Sequence, residues 1–180
     1  MQLDFSQGNI FNQGNIVYVI DTSALIRLES TFKYDNPVFI AIWEEIEDLI
    51  REGCFVTIDF VEDEINNYGG KEEFLQEWVK KWKKILVVQT DSETFNAAIP
   101  IINEEYNSGF LDAKKLAVGK EEADPYLIAY CKVHNCVLIT NESKTKPNKI
   151  PGVSMKNGVK CIDIFEFLVE REMRMERKKR

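Results

Sequence analysis

Short apolar runs alternate with longer amphipathic segments along this chain. The first run spans residues 16–20, and the others span residues 54–58, 85–88, 136–140 and 159–162. Unbroken apolar runs of this length are typical of strands that are covered on both faces, as in parallel sheets. The pattern therefore predicts an α/β fold, in which parallel strands are joined by right-handed helical crossovers.

The segments of the first half that follow these runs carry helical signals. An apolar stripe predicts a helix that begins at Asn36-Pro37 and stops at Gly53, and an acidic helix start follows at residues 59–65. The stretch from residue 91 to residue 116 is mostly helical in pattern, although Pro100 must start or kink a helix within it.

The second half is punctuated by helix signals of its own. Asp124-Pro125 predicts the start of a helix that Asn135 closes. A polar loop over residues 141–149 leads through Pro151 to the fifth strand, and the last helix starts at Asp163. These signals alternate with the apolar runs, as the α/β interpretation requires.

The length of 180 residues suits one well-buried core and is short for two. We therefore expect a single domain over residues 16–170, with a flexible leader rich in Gln, Asn and Gly at residues 1–15 and a basic end at residues 171–180. The formal charge of −7 argues against a protein that coats nucleic acid through charge alone. This net charge is compatible with an enzyme that binds phosphates through local contacts.

The four cysteines form no C-x-x-C pair, and the chain has one histidine, so a zinc site of Cys and His ligands is hard to assemble. Buried, reduced thiols are expected. The first residues lack the pattern of a signal peptide, and no apolar run approaches the roughly 20 residues of a membrane span. We therefore expect a cytoplasmic protein without a membrane segment.

Asp21 stands where the first apolar run meets the next helix. Ligands of open parallel sheets gather outside the carboxyl ends of the strands, so this carboxylate lies where such folds place their chemistry. The alternative is that Asp21 only caps the helix, because Asp accepts hydrogen bonds from the free N–H groups of a helix start.

Further acids follow the other predicted strands. Asp59, Glu62 and Glu64 follow the second strand, Asp124 begins the helix before the fourth, and Glu142 follows the fourth. Residues 62 and 64 point about 200° apart on a helix, so at most one enters a common site and the other lies on a solvated face. Taken singly, these acids are explained as helix caps, first-turn charges or loop residues. Together they predict a site for Mg²⁺ or Mn²⁺, which prefer oxygen ligands.

Four short segments of the chain resemble the successive motifs of PIN-domain ribonucleases. In chain order they are VIDTSALI at residues 19–26, VEDEI at residues 61–65, ADPYLIAY at residues 123–130 and VLITNE at residues 137–142. The resemblance covers about residues 16–170. It implies a parallel sheet in the order 3-2-1-4-5 between helices, a Mg²⁺ or Mn²⁺ site, and cleavage of RNA.

The ending of the chain adds to this resemblance. Residues 149–153 and 159–166 are similar to an uncharacterised PIN-like family of bacteria and archaea. PIN-domain ribonucleases are often the toxin of a toxin–antitoxin pair. The resemblance therefore implies an antitoxin partner and a homodimer in addition to the RNA substrate.

The resemblance also assigns roles by position. Asp21, Glu64 and Asp124 match the acidic triad of the family, with Asp21 and Asp124 on the ion and Glu64 bound to it directly or through water. The fourth acid of the family lies in a Thr-x-Asp motif, where this chain has Glu142. The extra methylene carries the carboxylate about 1.5 Å further out, so Glu142 is predicted to reach the ion through water or to turn aside.

Supporting roles are predicted for residues around the acids. Ser23 and Thr140 would orient the ligands by hydrogen bonding, and Lys144, Lys146 and Lys149 of the polar loop would contact RNA. The predicted reaction is hydrolysis by a metal-activated water. The alternative is an inactive PIN-like module that binds or regulates. Two other classes of α/β protein also place an Asp after the first strand. A phosphatase of the haloacid dehalogenase type needs a second Asp at the position of Ser23, and a receiver domain needs adjacent acids before a separate acceptor Asp. This chain has neither pattern.

Overall fold

The computed structural model describes residues 16–67, 73–112 and 122–174. The predicted leader at residues 1–15 and the last residues of the predicted basic end lie outside this part of the chain. Within it, no helix has both the length and the apolar character needed to cross a membrane.

Five parallel strands form the centre of the molecule. They are β1 (Tyr18–Ile20), β2 (Phe55–Ile58), β3 (Val87–Val88), β4 (Val137–Ile139) and β5 (Cys161–Ile162). Their spatial order is β3-β2-β1-β4-β5, which confirms the predicted α/β sheet. Val19 of β1 is in register with Val56 of β2 and Leu138 of β4. The end of β1 is therefore flanked by the ends of its two neighbours.

Eight helices surround the sheet within the described residues. They are α1 (Thr22–Thr31), α2 (Ile40–Arg51), α3 (Asp59–Asn66), α4 (Glu73–Leu86), α5 (Ser92–Glu105), α6 (Ala123–His134), α7 (Ile150–Lys156) and α8 (Ile164–Glu170). Every residue of β1, β2 and β4 is buried. Cover on both faces explains why these strands are continuous apolar runs in the sequence.

Local signals located several helix ends correctly. Asn135 ends α6 in the left-handed conformation, with φ 54°. Asp163 caps α8 and accepts hydrogen bonds from the backbone N–H groups of Phe165 and Glu166. The Glu166 carboxylate in turn accepts from the backbone N–H of Asp163, which completes a capping box.

Several predicted boundaries differ from those of the structure. Helix α2 begins at Ile40 rather than at Asn36, whose side chain instead accepts from the N–H of Val38 in a turn. Strand β3 is shorter than predicted because α4 continues through Leu86. Helix α5 contains Pro100 but ends at Glu105, well before the predicted residue 116, and residues 113–116 lie outside the described part.

The sequence interpretation predicts no element between the polar loop, which ends at residue 149, and the fifth strand, where the structure has helix α7. It has 7 residues, with Pro151 and Gly152 in its first turn. Both residues are typical of loops, and the segment is too short to show a clear apolar period.

Candidate functional site

Asp21 occupies the end of β1 and also caps α1. Its Oδ1 accepts a hydrogen bond from the N–H of Ala24 at 2.6 Å. Asp21 therefore does cap the helix, as the alternative interpretation states. Its Oδ2 accepts from the Thr140 hydroxyl at 2.6 Å and from the Ser23 hydroxyl at 2.8 Å. The side chain is therefore held by hydrogen bonds on both oxygens. The residue is 3% exposed.

The electrostatic environment of Asp21 opposes its charged form. Burial raises the pKa of the Asp21 carboxyl to about 6, even though the hydrogen bonds from Thr140, Ala24 and Ser23 lower it. The charge of Glu142 raises it further. Among the residues described, no lysine or arginine forms an ion pair with Asp21.

Glu64 is tied to the same end of the sheet through α3. Its Oε2 accepts from the hydroxyl of Thr22 at 2.6 Å, and Thr22 directly follows Asp21. Sequence reasoning did not identify Thr22 as a site residue. A threonine in the first turn of a helix is ordinary, and Glu64 lies 42 positions away, so no local pattern signals the pair.

The other two acids near Glu64 have different partners. Glu62 is buried and forms an ion pair of 2.7 Å with Lys83 of α4. The prediction that the residue opposite Glu64 would lie on a solvated face is therefore wrong, because α4 packs against that side of α3. Asp59 accepts from the Thr90 hydroxyl at 2.5 Å, beyond the end of β3.

Asp124 lies in the first turn of α6, where Glu122 is the residue that precedes the helix. The alternative that Asp124 serves as the N-cap is therefore wrong. Burial raises the pKa of the Asp124 carboxyl well above its usual range, and the charges of Glu142, Asp21, Glu64 and Glu122 raise it further, in that order. The acids that the sequence assigned to one site thus repel Asp124 electrostatically.

The Glu142 carboxylate is turned toward the start of α7. Its Oε1 accepts from the Lys149 ammonium at 2.7 Å, and its Oε2 accepts from the N–H of Ile150 at 2.8 Å. Its own N–H donates to the hydroxyl of Thr140 at 3.2 Å. Each carboxylate oxygen of Glu142 already has a donor within the chain.

The three lysines proposed from the sequence as RNA contacts differ in their surroundings. Lys144 donates to Asp163 at 2.8 Å and to Glu166, both at the start of α8. Lys149 donates to Glu142, and Lys146 lies exposed in the loop. Two of these cations are therefore partly neutralised by acids of the same chain.

The donor chemistry suits a hard cation that keeps water ligands. In the described part of the chain, no group of three or more His, Cys, Asp or Glu residues is arranged to hold a metal ion by itself. Mg²⁺ is usually bound by only one or two carboxylates and retains several waters. The candidate ligands are Asp21 and Asp124, whose carboxyl groups have a pKa raised by burial and by neighbouring charge.

Comparison with known proteins adds a family and a fold. The model of a family described as "Domain of unknown function (DUF4411)" matches residues 18–175. No curated protein matches the chain.

Several solved structures are similar to this chain, including the following three. DNA-bound VapBC from Salmonella typhimurium has a TM-score of 0.52 and 16% identity, over 82% of this chain and 98% of that chain. PAE2754 from Pyrobaculum aerophilum has a TM-score of 0.49 and 14% identity, over 93% and 98%. FitAB bound to an IR36 DNA fragment has a TM-score of 0.48 and 16% identity, over 82% and 94%. The similarity to VapBC shows the fold of this chain. It is the PIN-like fold that the resemblance of the sequence motifs implies.

Proposed function

We propose that this chain, which belongs to the DUF4411 family and has a PIN-like fold, is a metal-dependent endoribonuclease. One observation carries the proposal. Asp21 and Asp124 are electrostatically coupled acids with a raised pKa, and the described residues give them no ion-pair partner. Such an arrangement is costly unless a cation from outside the chain binds there.

In this proposal Asp21 and Asp124 hold Mg²⁺ or Mn²⁺, and Glu64 contacts the ion directly or through water. A divalent cation bound there supplies an activated water and neutralises charge on the phosphoryl oxygens. The chain itself keeps the ligands in place. Ser23 and Thr140 fix both oxygens of Asp21, while Thr22 fixes Glu64.

The substrate and partners follow from the resemblance to PIN-domain ribonucleases. RNA is the proposed substrate, and a toxin–antitoxin pair with a protein antitoxin is the proposed setting, in which this chain forms a homodimer. Support comes from the fold shared with VapBC, which was solved as a DNA-bound complex.

The decisive experiment incubates the purified chain with a pool of RNAs of varied sequence, with and without Mn²⁺, and reads the ends of the products. We expect internal cuts that require Mn²⁺ and stop in excess chelator. A parallel calorimetric titration with Mn²⁺ measures binding directly. Cleavage that continues at full rate in excess chelator contradicts the proposal, and Mn²⁺ binding without any cleavage favours the alternative of an inactive PIN-like module.

A further inference from the structure

The loop over residues 141–149 is anchored to neighbouring elements at two points. Lys144 anchors its middle to Asp163 at 2.8 Å. Its end lies against the first turn of α7, where a Cβ on Gly152 would stand 2.4 Å from the carbonyl oxygen of Pro147. This close approach requires a glycine at position 152. Pro147, two residues before Lys149, therefore lies directly against the first turn of α7.

The side chain of Lys149 is also held, by Glu142. The ammonium lies 2.7 Å from Oε1 of Glu142, and the other carboxylate oxygen accepts from the N–H of Ile150 at 2.8 Å. With both oxygens bonded, the carboxylate cannot turn without breaking a hydrogen bond. The Lys149 side chain is nevertheless 38% exposed, so a ligand can reach it.

Hydrogen bonds link this ion pair to the acid at the end of β1. The N–H of Glu142 donates to the Thr140 hydroxyl, and that hydroxyl donates to Oδ2 of Asp21. The pKa of Lys149 also reflects the neighbouring acids. The hydrogen bond to Glu142 raises the pKa of Lys149, and the charges of Glu142, Asp124 and Glu122 raise it further, against the lowering effect of burial. The charge of Asp124 therefore acts on the ammonium that Glu142 holds.

We propose that Lys149 binds a phosphate of the RNA beside the acids, and that Glu142 is a positioning residue that holds this ammonium rather than a ligand of the metal ion. The inference rests on the proposed function, because it takes an RNA phosphodiester as the substrate. A phosphodiester that approaches Asp21, Glu64 and Asp124 is repelled by their charges. A lysine, which binds phosphate as a point charge, offsets that repulsion at the edge of the site.

The structure provides a matched control pair. Lys160 lies 2.8 Å from Glu170 in an ion pair of nearly the same length. Lys160 precedes β5, so this pair is at the amino end of the strand, whereas Glu142 follows the carboxyl end of β4. Changes at Lys160 and Glu170 therefore remove similar charges far from the acids.

The first test measures how salt affects binding of a fluorescent single-stranded RNA to the full chain in excess chelator. We compare the unmodified chain with Lys149→Met, Lys149→Arg and Lys160→Met by anisotropy across a range of KCl concentrations. One lost phosphate contact should reduce the slope of log K against log[KCl] by about 0.7 in Lys149→Met. Lys149→Arg should keep the slope, and Lys160→Met should leave it unchanged.

The second test titrates Mn²⁺ into Glu142→Gln and Glu170→Gln by calorimetry. Because Glu142 positions Lys149, its replacement should change Mn²⁺ affinity by less than about 3-fold, whereas loss of a metal ligand or of a group that orients one costs about 10-fold or more. Glu142→Gln should instead raise the KM for RNA cleavage, as Lys149→Met does. A loss of Mn²⁺ affinity of 10-fold or more in Glu142→Gln overturns the inference.

The outcomes separate this inference from the proposed function. If the chain cleaves RNA but Lys149→Met has the same salt slope as Lys160→Met, the inference fails and the proposed function stands. If the chain never cleaves RNA, the proposed function fails. The phosphate contact is still supported if the slope of log K against log[KCl] falls in Lys149→Met and in no other variant. An unmodified chain that binds no RNA at any salt concentration overturns the inference, and the cleavage assay with Mn²⁺ decides the proposed function separately.

Discussion

Two buried carboxylates of this molecule have opposite surroundings. Glu47 of α2 accepts hydrogen bonds from Lys81 at 3.1 Å and from the indoles of Trp78 and Trp82 at 3.2 Å each. Burial raises its pKa, but these donors and the charge of Lys81 hold the pKa below its usual value. Asp21 is also buried, yet burial and the nearby Glu142 charge raise its pKa to about 6.

A third carboxylate shows which of these two is the exception. Glu105 at the end of α5 is 2% exposed and forms an ion pair with Lys156. Burial raises its pKa, but the hydrogen bond and the charge of Lys156 hold it below the usual value. The chain therefore neutralises its structural buried acids with its own lysines. Asp21 and Asp124 are different because the described residues supply them with no such cation, which is the difference expected between a structural acid and a metal ligand.

The largest expected effect is on cleavage. Asp124→Asn should lower the rate of Mn²⁺-dependent RNA cleavage on the order of 10³-fold or more, because one of the two direct ligands of the ion is lost. Glu105→Gln, also at a buried acid, should stay within about 3-fold of the unmodified chain at a temperature where both are folded. Equal losses in the two variants would remove the distinction between structural acids and metal ligands.

The next effect is on stability at the structural acid. Glu47→Gln should lower the free energy of unfolding by about 2–3 kcal/mol at pH 7, because the charged acceptor shared by Lys81 and the indoles of Trp78 and Trp82 is lost. Urea unfolding measures the change. A loss below about 0.5 kcal/mol, the range of an exposed substitution, would mean that Glu47 is not the link between α2 and α4.

The pH dependence of stability should differ in sign between Asp21 and Glu47. The pKa of Asp21 is about 6 in the folded chain against 3.8 ordinarily, so between these values the folded state retains a proton that the unfolded state has lost. The contribution of Asp21 to stability therefore falls as pH rises through this window. Glu47, whose folded pKa is lowered, contributes stability above its unfolded pKa and loses it as pH falls.

Asp21→Asn isolates this effect. In excess chelator, the stability of this variant relative to the unmodified chain should increase on the order of 2 kcal/mol from pH 4 to pH 7. Added Mn²⁺ should stabilise the unmodified chain at pH 7 but not the variant. Urea titrations at both pH values test this, and a difference between the two proteins that does not vary with pH would show that Asp21 titrates normally.

The smallest effect distinguishes two acids of α3. Glu64→Gln should weaken Mn²⁺ binding about 10-fold, because Glu64 is oriented toward the end of β1 by Thr22. Glu62→Gln should leave Mn²⁺ affinity within about 2-fold and reduce stability instead, because Glu62 pairs with Lys83. Calorimetry with both variants decides the assignment, and a reversed result would place Glu62 at the ion.

Local patterns in the sequence were sufficient to predict the sheet and the position of Asp21. A strand that is covered on both faces must be apolar throughout, so the buried strands β1, β2 and β4 are visible as runs. Asn135 and Asp163 are visible for a similar reason, because the conformation of a helix end depends on a few neighbouring residues. The order of the strands came from the resemblance to a family and not from periodicity.

The partners of the acids were decided by the tertiary structure alone. Glu64 bonds to Thr22 across 42 positions, and Lys83 reaches Glu62 only because α4 packs against α3. The direction of the Glu142 side chain depends on the start of α7, a helix that the sequence did not reveal. Charge and hydrogen bonding act over a few ångströms in space and ignore distance along the chain. Which acid has an ion-pair partner within the described chain is therefore determined by packing, while the buried strands and several helix ends are determined by local sequence.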